Sequence, residues 1–155
     1  MLEYFEGNET HLPWLALNLR QDDLVELVLA TGKQPHEALS RRVLEIPGAR
    51  VCTIRAPSGN PCAMFGALPN TYEPESGIAW FLATPEIEEH KKELLQTIPP
   101  YIDFLSEPYA GGLVAYMWEH NRMHRRWAEA VGFKHCPPGD IILRGNRFLH
   151  IHRPR

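Results

Sequence analysis

The sequence predicts a mixed α/β (α+β) fold, with one central sheet and helices on both of its faces. Three observations predict it. Apolar runs of strand length alternate with segments of helical spacing, and clusters of Gly, Pro, Asn, Asp and Ser separate them. Two of the runs, Gly77–Ala83 and Gly111–Trp118, are apolar almost throughout, as strands covered on both faces are. The length, 155 residues, suits one domain spanning 1–155, and no repeat, low-complexity tract or Gly/Ser linker divides it.

In chain order, Leu12–Leu19 has apolar residues at 15, 17 and 19 and reads as a strand or extended lead-in. Gln21–Ala30 reads as a helix: Leu24, Leu27 and Val28 have helical spacing, Asp22 and Asp23 suit the positive end of the dipole, and Gly32 ends it. Pro35 opens a second helix over His36–Glu45, stopped by Pro47-Gly48. Three strands follow at Ala49–Ala56, Cys62–Leu68 and Gly77–Ala83, the first two joined by the turn cluster Pro57–Pro61.

Thr84 is placed to cap a helix beginning at Pro85, which Pro99-Pro100 must break, with a short continuation over Tyr101–Leu105. Gly111–Trp118 is a strand. Asn121–Val131 is a helix with Met123, Trp127 and Ala130 inward, closed by Gly132. Phe133–Cys136 and Ile141–His152 close the chain as two strands around Pro137–Asp140.

Composition narrows the class. A hydrophobic fraction of 44% with 23% charged residues is that of an ordinary globular chain, neither disordered nor fibrous. Three scattered cysteines without a C-x-x-C point to a reducing compartment rather than a disulfide framework. The start, Met1–Glu6, lacks the pattern of a signal peptide, and no run is long enough to span a membrane. The net charge of −3 conceals a division: residues 1–109 hold 16 Asp/Glu against 8 Lys/Arg, and residues 110–155 hold 3 against 8. Such asymmetry marks either a polyanion-binding end or complementarity between two parts of one fold.

The element order, together with Asn121 and, eleven positions on, Gly132-Phe133, resembles the GNAT superfamily of N-acetyltransferases over roughly residues 12–152. That resemblance implies a mostly antiparallel central sheet of about seven strands. A closer likeness lies in Met64-Phe65-Gly66-Ala67, in Gly77–Thr84, and in Asn121-x-x-His124-x-x-Trp127-x-x-x-x-Gly132-Phe133. These runs resemble a GNAT-like family of short-tailed bacteriophages, the internal virion protein A family, which serves particle morphogenesis.

Two departures count against ordinary acetyl transfer. GNAT enzymes hold the coenzyme A pyrophosphate on a glycine-rich turn after their fourth strand, where backbone N–H groups and a helix dipole face it. Here that place reads Thr84-Pro85-Glu86-Ile87-Glu88-Glu89-His90-Lys91, with no glycine, a proline lacking its N–H, and three carboxylates. Each like-charge contact near 4 Å costs on the order of 1–4 kcal/mol. Family enzymes also commonly carry a tyrosine four residues before the Gly of Gly-Phe, to protonate the leaving thiolate. Ala128 stands there and transfers no proton.

The leading expectation is therefore a phage-encoded protein acting in virion assembly through protein contacts, with no cofactor and no metal. Its partners would be other virion or assembly proteins or its own copies, in the host cytoplasm and the particle. The basic end supplies the candidate contact residues Arg122, Arg125, Arg126, Arg144, Arg147 and Arg153, since arginine is enriched at protein interfaces. The alternative is a divergent CoA-dependent N-acetyltransferase. It would take acetyl-CoA between the two apolar strands, with Leu82, Ala83, Thr84, Lys91 and Asn121 toward the cofactor and His124, Glu119 and His120 moving protons. A second alternative is a small adaptor binding nucleic acid through the same arginines, although no basic–aromatic module is present. His120 and His124, four apart, have metal-ligand spacing, but His135 and Cys136 give no second ligand pair of that kind.

Overall fold

The computed structural model describes residues 1–155. Eight strands build one sheet: β1 (Glu3–Glu6), β2 (Arg50–Arg55), β3 (Pro61–Pro69), β4 (Gly77–Ala83), β5 (Leu113–Trp118), β6 (Lys134–His135), β7 (Ile141–Leu143) and β8 (Asn146–Arg153). Their order is β1-β2-β3-β4-β5-β8-β6, with β7 also on β8. Every neighbouring pair is antiparallel except β4 and β5. Seven helices flank it: α1 (Leu12–Asn18), α2 (Gln21–Thr31), α3 (Pro35–Ala38), α4 (Arg42–Glu45), α5 (Lys91–Thr97), α6 (Pro99–Ser106) and α7 (Arg122–Ala130). The mixed fold with helices on both faces is the one the sequence predicts. No helix is long and apolar enough to cross a membrane.

Period-two side chains divide the core between the faces. On β3 and β4, Phe65, Ala67 and Ala83 join the larger core with Leu94, Ile102 and Trp127 from α5, α6 and α7. Met64 and Leu82 point to the opposite face and meet Leu12 and Leu15 of α1 and Leu39.

Several expected elements are revised. Leu12–Asn18 is a helix: Leu12 and Leu15 are buried while Leu17 is 83% exposed, so the spacing of three outweighs the alternation at 15, 17 and 19. The edge strand is Glu3–Glu6 instead, paired to β2 from Glu3↔Arg55 to Glu6↔Cys52. The helix over 36–45 is two single turns, α3 and α4, parted where Leu39 leaves helical geometry with ψ +54 and buries its side chain.

Pro85–His90 forms a 3-10 segment, and α-helix begins only at Lys91. Thr84 makes no side-chain cap; its N–H donates to Cys62 O (2.9 Å) and prolongs the β3 pairing. Pro99 and Pro100 do break the helix, and they also open α6 in its first turn, where a missing N–H costs nothing. Ala130 is exposed, whereas His124 joins Trp127 on the buried face of α7. The closing strand is a hairpin. Its two turn residues, Arg144 (φ +48) and Gly145 (φ +76), have the left-handed backbone of a tight two-residue turn, which raises the strand count to eight.

One irregularity organises the site. β4 and β5 pair only through Gly77↔Leu113 and Ile78↔Val114, then part. Gly112 holds the apex: its carbonyl accepts the Gly77 N–H (3.0 Å), and its φ is +84.

Candidate active site

α2 meets the open edge of β4 end-on. The Arg20 N–H donates to Ala83 O (2.8 Å), and the Ala83 N–H donates to Asp23 Oδ2 (2.7 Å). The missing strand is thus replaced at one residue by the start of a helix. Backbone groups alternate edges along a strand, so Phe81, two residues earlier, turns its N–H and C=O to the same open edge.

Asp23 is fully buried. Its Oδ1 accepts from Arg20 Nη1 (2.7 Å) and Asn121 Nδ2 (3.0 Å) and lies 3.1 Å from His124 Nε2. The last contact lies off the hydrogen-bonding direction, so charge attraction rather than a linear hydrogen bond carries it. Burial pushes the Asp23 carboxyl up, but the charge of His124, with Arg20 and the Asn121 donor, holds it below the usual carboxylate range. Burial pulls the His124 imidazolium down. The Asp23 charge and then Glu26 outweigh that and carry its pKa to about 10. His124 is a cation at neutral pH. His124, expected from the sequence to move protons, stands between the carboxylates of Asp23 and Glu26.

Glu26 follows Asp23 by three residues and so shares its helix face. Its Oε2 accepts from Asn121 Nδ2 (2.9 Å) and from the Trp118 N–H (3.3 Å), while Oε1 has only His124 Nδ1 nearby, at 3.7 Å. Phe81 and Trp127 close the lower side, each edge-on to a neighbour: Phe81–His124 centroids are 5.2 Å apart and Phe81–Trp127 5.9 Å.

Where the strands part, a cavity of about 360 Å³ opens. Leu27, Trp80, Leu82 and Tyr116 line it on the α2 face, and Phe81, Ala115, Trp127 and Phe133 on the α7 face. It therefore passes through the sheet. Glu26 and His124 are its charged lining residues.

The candidate residues named from sequence are dispersed. Leu82 lines the cavity, Ala83 is spent on α2, and Thr84 on β3. Lys91 is exposed at the start of α5. Asn121 is buried and bridges Asp23 to Glu26. His120 is turned outward, its side chain 63% exposed and 3.5 Å from Glu119, and neither lines the cavity, which separates both from His124. His135 is bonded to Asp140 (2.9 Å) instead of sharing a ligand sphere with His124.

Three of the six arginines are engaged within the molecule. Arg144 donates to Leu29 O (2.8 Å) at the C-terminus of α2, where a cation suits the dipole. Arg147 pairs with Asp140, and Arg153 donates to Val131 O (2.7 Å) and Asp103 (2.8 Å). Arg122, Arg125 and Arg126 on α7 make no ion pair. Part of the charge division is thus intramolecular complementarity.

Sequence reasoning missed Arg20, Asp23 and Glu26. The signal was there in Asp23, Leu27 and Ala30, spaced four and three apart: a carboxylate inside an apolar helical stripe.

After β4, the Thr84 N–H is bonded to Cys62 O, Pro85 has none, and the Ile87 N–H donates to Thr84 O (3.2 Å). Glu88 is drawn back to Arg20 Nε (2.9 Å) and Glu86 to Ser58 Oγ (3.0 Å). This turn does not fit a pyrophosphate, whereas the open edge of β4 and the cavity fit a slender thioester arm.

No family model matches the chain, and no curated protein does. Solved structures do. The chain is similar in fold to AAC(6')-Ib in complex with ribostamycin and coenzyme A, at a TM-score of 0.73 and 13% identity over 99% of this chain and 93% of that one. It is similar to a spermidine N-acetyltransferase SpeG chimera from Vibrio cholerae and hSSAT (0.66, 13%, 99% and 95%). A third is the IAA acetyltransferase from Bacillus cereus (0.65, 10%, full length of both). The fold is GNAT-like. At these identities the likeness extends to the fold alone, and nothing in it bears on a bacteriophage particle.

Proposed function

We propose that this GNAT-like chain is a divergent N-acyltransferase, moving an acyl group from a pantetheine thioester, acetyl-CoA being the simplest donor, to a primary amine. The cavity through the sheet carries the reading. It lets a thioester arm enter from the α7 face and an amine from the α2 face and meet between β4 and β5, the proximity that such a transfer requires.

The donor, when bound, supplies an activated carbonyl. The Phe81 N–H and C=O hold the arm along the open edge of β4, as a strand would be held. Glu26 Oε1 receives the acceptor ammonium and takes its proton, after which the nitrogen can attack. The C–N bond forms as the C–S bond breaks; the nitrogen gives its second proton to solvent water and the thiolate, unassisted by residue 128, takes one from it, so that amide and thiol leave and Glu26 returns its proton to solvent. His124 and Asn121 position the Glu26 carboxylate rather than exchanging protons with substrate.

The test is thiol release from acetyl-CoA and acetyl-pantetheine with an amine panel, beside calorimetric titration of each thioester. Turnover that falls at least 100-fold in Glu26→Gln supports the reading; neither binding nor turnover with any donor sinks it.

The assembly-protein reading keeps one favourable observation, the acidic 3-10 turn at Pro85–His90. On that reading the free arginines of α7 meet other virion proteins or a second copy, and both thioesters fail to titrate.

A further inference from the structure

The α2 side of the cavity carries a statement about the acceptor. Of 29 residues lining the whole cavity, 25 are hydrophobic, so an acceptor entering there meets hydrocarbon on nearly every side. Leu27, Leu39, Trp80 and Leu82 supply that surface, and Glu26 alone presents a carboxylate. Half of that carboxylate is already used: Oε2 holds two donors, from Asn121 and Trp118, while Oε1 has no hydrogen-bond donor, only His124 Nδ1 at 3.7 Å, and can take one from a ligand. His124, the other charged lining group, is itself bound to Asp23 and carries a positive charge.

We infer that the acceptor is a small monoamine with an apolar body, an arylalkylamine or a branched alkylamine, and not a polyamine or an amino sugar. The inference rests on the acyltransferase reading above and names the substrate class of that site.

One free carboxylate oxygen can accept one ammonium. A second ammonium in the same space would meet His124 and apolar walls, with no carboxylate to face it. The Thr31 and Tyr116 hydroxyls and the Trp80 indole N–H are the few uncharged polar groups in the lining, so an amine bearing several hydroxyls would give up more water than it finds partners, a loss of about tenfold in affinity for each unpaired group. An aromatic or branched apolar body instead removes its own surface and that of Trp80 and Leu82 from water together.

Thiol release at a fixed acetyl-pantetheine concentration, with phenethylamine, isopentylamine, spermidine and kanamycin as acceptors, tests this. The expected kcat/KM is at least tenfold higher for the two apolar monoamines. A higher value for spermidine or kanamycin overturns the inference while the acyltransferase reading stands. Ala38, half-buried on the α2 side of the lining, offers a gain-of-function arm. Ala38→Asp adds a second carboxylate and should raise the spermidine to phenethylamine ratio about fivefold; an unchanged ratio counts against the inference. Should no amine release thiol, the acyltransferase reading fails, and direct calorimetry with phenethylamine decides this one separately. Binding that Glu26→Gln abolishes, with none for kanamycin, upholds it, and no phenethylamine binding ends it.

Discussion

Asp23 Oδ1 lies 3.1 Å from His124 Nε2, and both side chains are out of solvent. The two residues stand 101 positions apart, on α2 and α7, and their contact ties the helices on one face of the sheet to the helix on the other. Because Asp23 also receives the Ala83 N–H, this one carboxylate fixes the open edge of β4, the start of α2 and the first turn of α7 together.

Removing one charge of a buried pair leaves the other uncompensated. Asp23→Asn should therefore cost about 3–5 kcal/mol in urea unfolding. The double variant Asp23→Asn/His124→Gln should recover part of that loss, since no charge is then stranded. A double variant as unstable as the sum of the singles would show that the pair is not coupled.

The same pair sets a pH dependence with a definite sign. The His124 pKa stands raised from 6.5 to about 10, so its stabilisation is complete below pH 6.5, declines above it and is gone beyond about 10. Asp23 is held below its ordinary value, so its contribution is present above about 3.8 and is lost as pH falls through the lowered pKa. Urea midpoints measured from pH 6 to 10 should drop more steeply for the wild type than for His124→Gln. Parallel curves would contradict the assignment of the charge to His124.

Gly112 is the apex of the parting strands. A Cβ there would clash with the Arg153 carbonyl oxygen, on a backbone with φ +84. Gly112→Ala should cost at least about 2 kcal/mol, because both the left-handed conformation and the backbone clash act against it. Thermal unfolding reads the loss. An unaffected Tm would mean that β5 and β8 can separate at that end without consequence.

The turn after β4 predicts a donor preference. With its N–H groups at Thr84 and Ile87 already bonded and Glu86 beside them, the nucleotide end of coenzyme A gains little there. The kcat/KM for acetyl-pantetheine should lie within about threefold of that for acetyl-CoA. A 100-fold advantage for acetyl-CoA would show that the nucleotide is recognised elsewhere, and the unpaired Arg122, Arg125 and Arg126 are then the residues to substitute.

Much of the fold was legible in the sequence. Gly77–Ala83 and Gly111–Trp118 read as covered strands because both faces of the sheet carry helices, and the turn residues around Pro57–Pro61 marked the hairpin between β2 and β3. Leu12–Asn18 was misread because its alternating leucines include Leu17, which faces solvent. The site was less legible. His124 and Asn121 stand out on their helix in the sequence, but Asp23 reads as an ordinary first-turn acid and Glu26 does not stand out at all, because the partners that bury them arrive some 100 residues later. The arginines were visible as a charged end, yet whether each one met a carboxylate of the same chain depended on packing.

The sequence by itself determined most of the element types, the covered strands and a glycine-free, acidic turn after β4, since periodicity, proline and glycine act through neighbours in the chain. Only the tertiary structure decided that β4 and β5 part after two residues, that a cavity crosses the sheet there, and that Glu26 keeps one oxygen free within it. Those features arise from contacts between segments far apart in sequence, where the carboxylates of Asp23 and Glu26 raise the His124 pKa against its burial and packing fixes which groups remain open to a ligand.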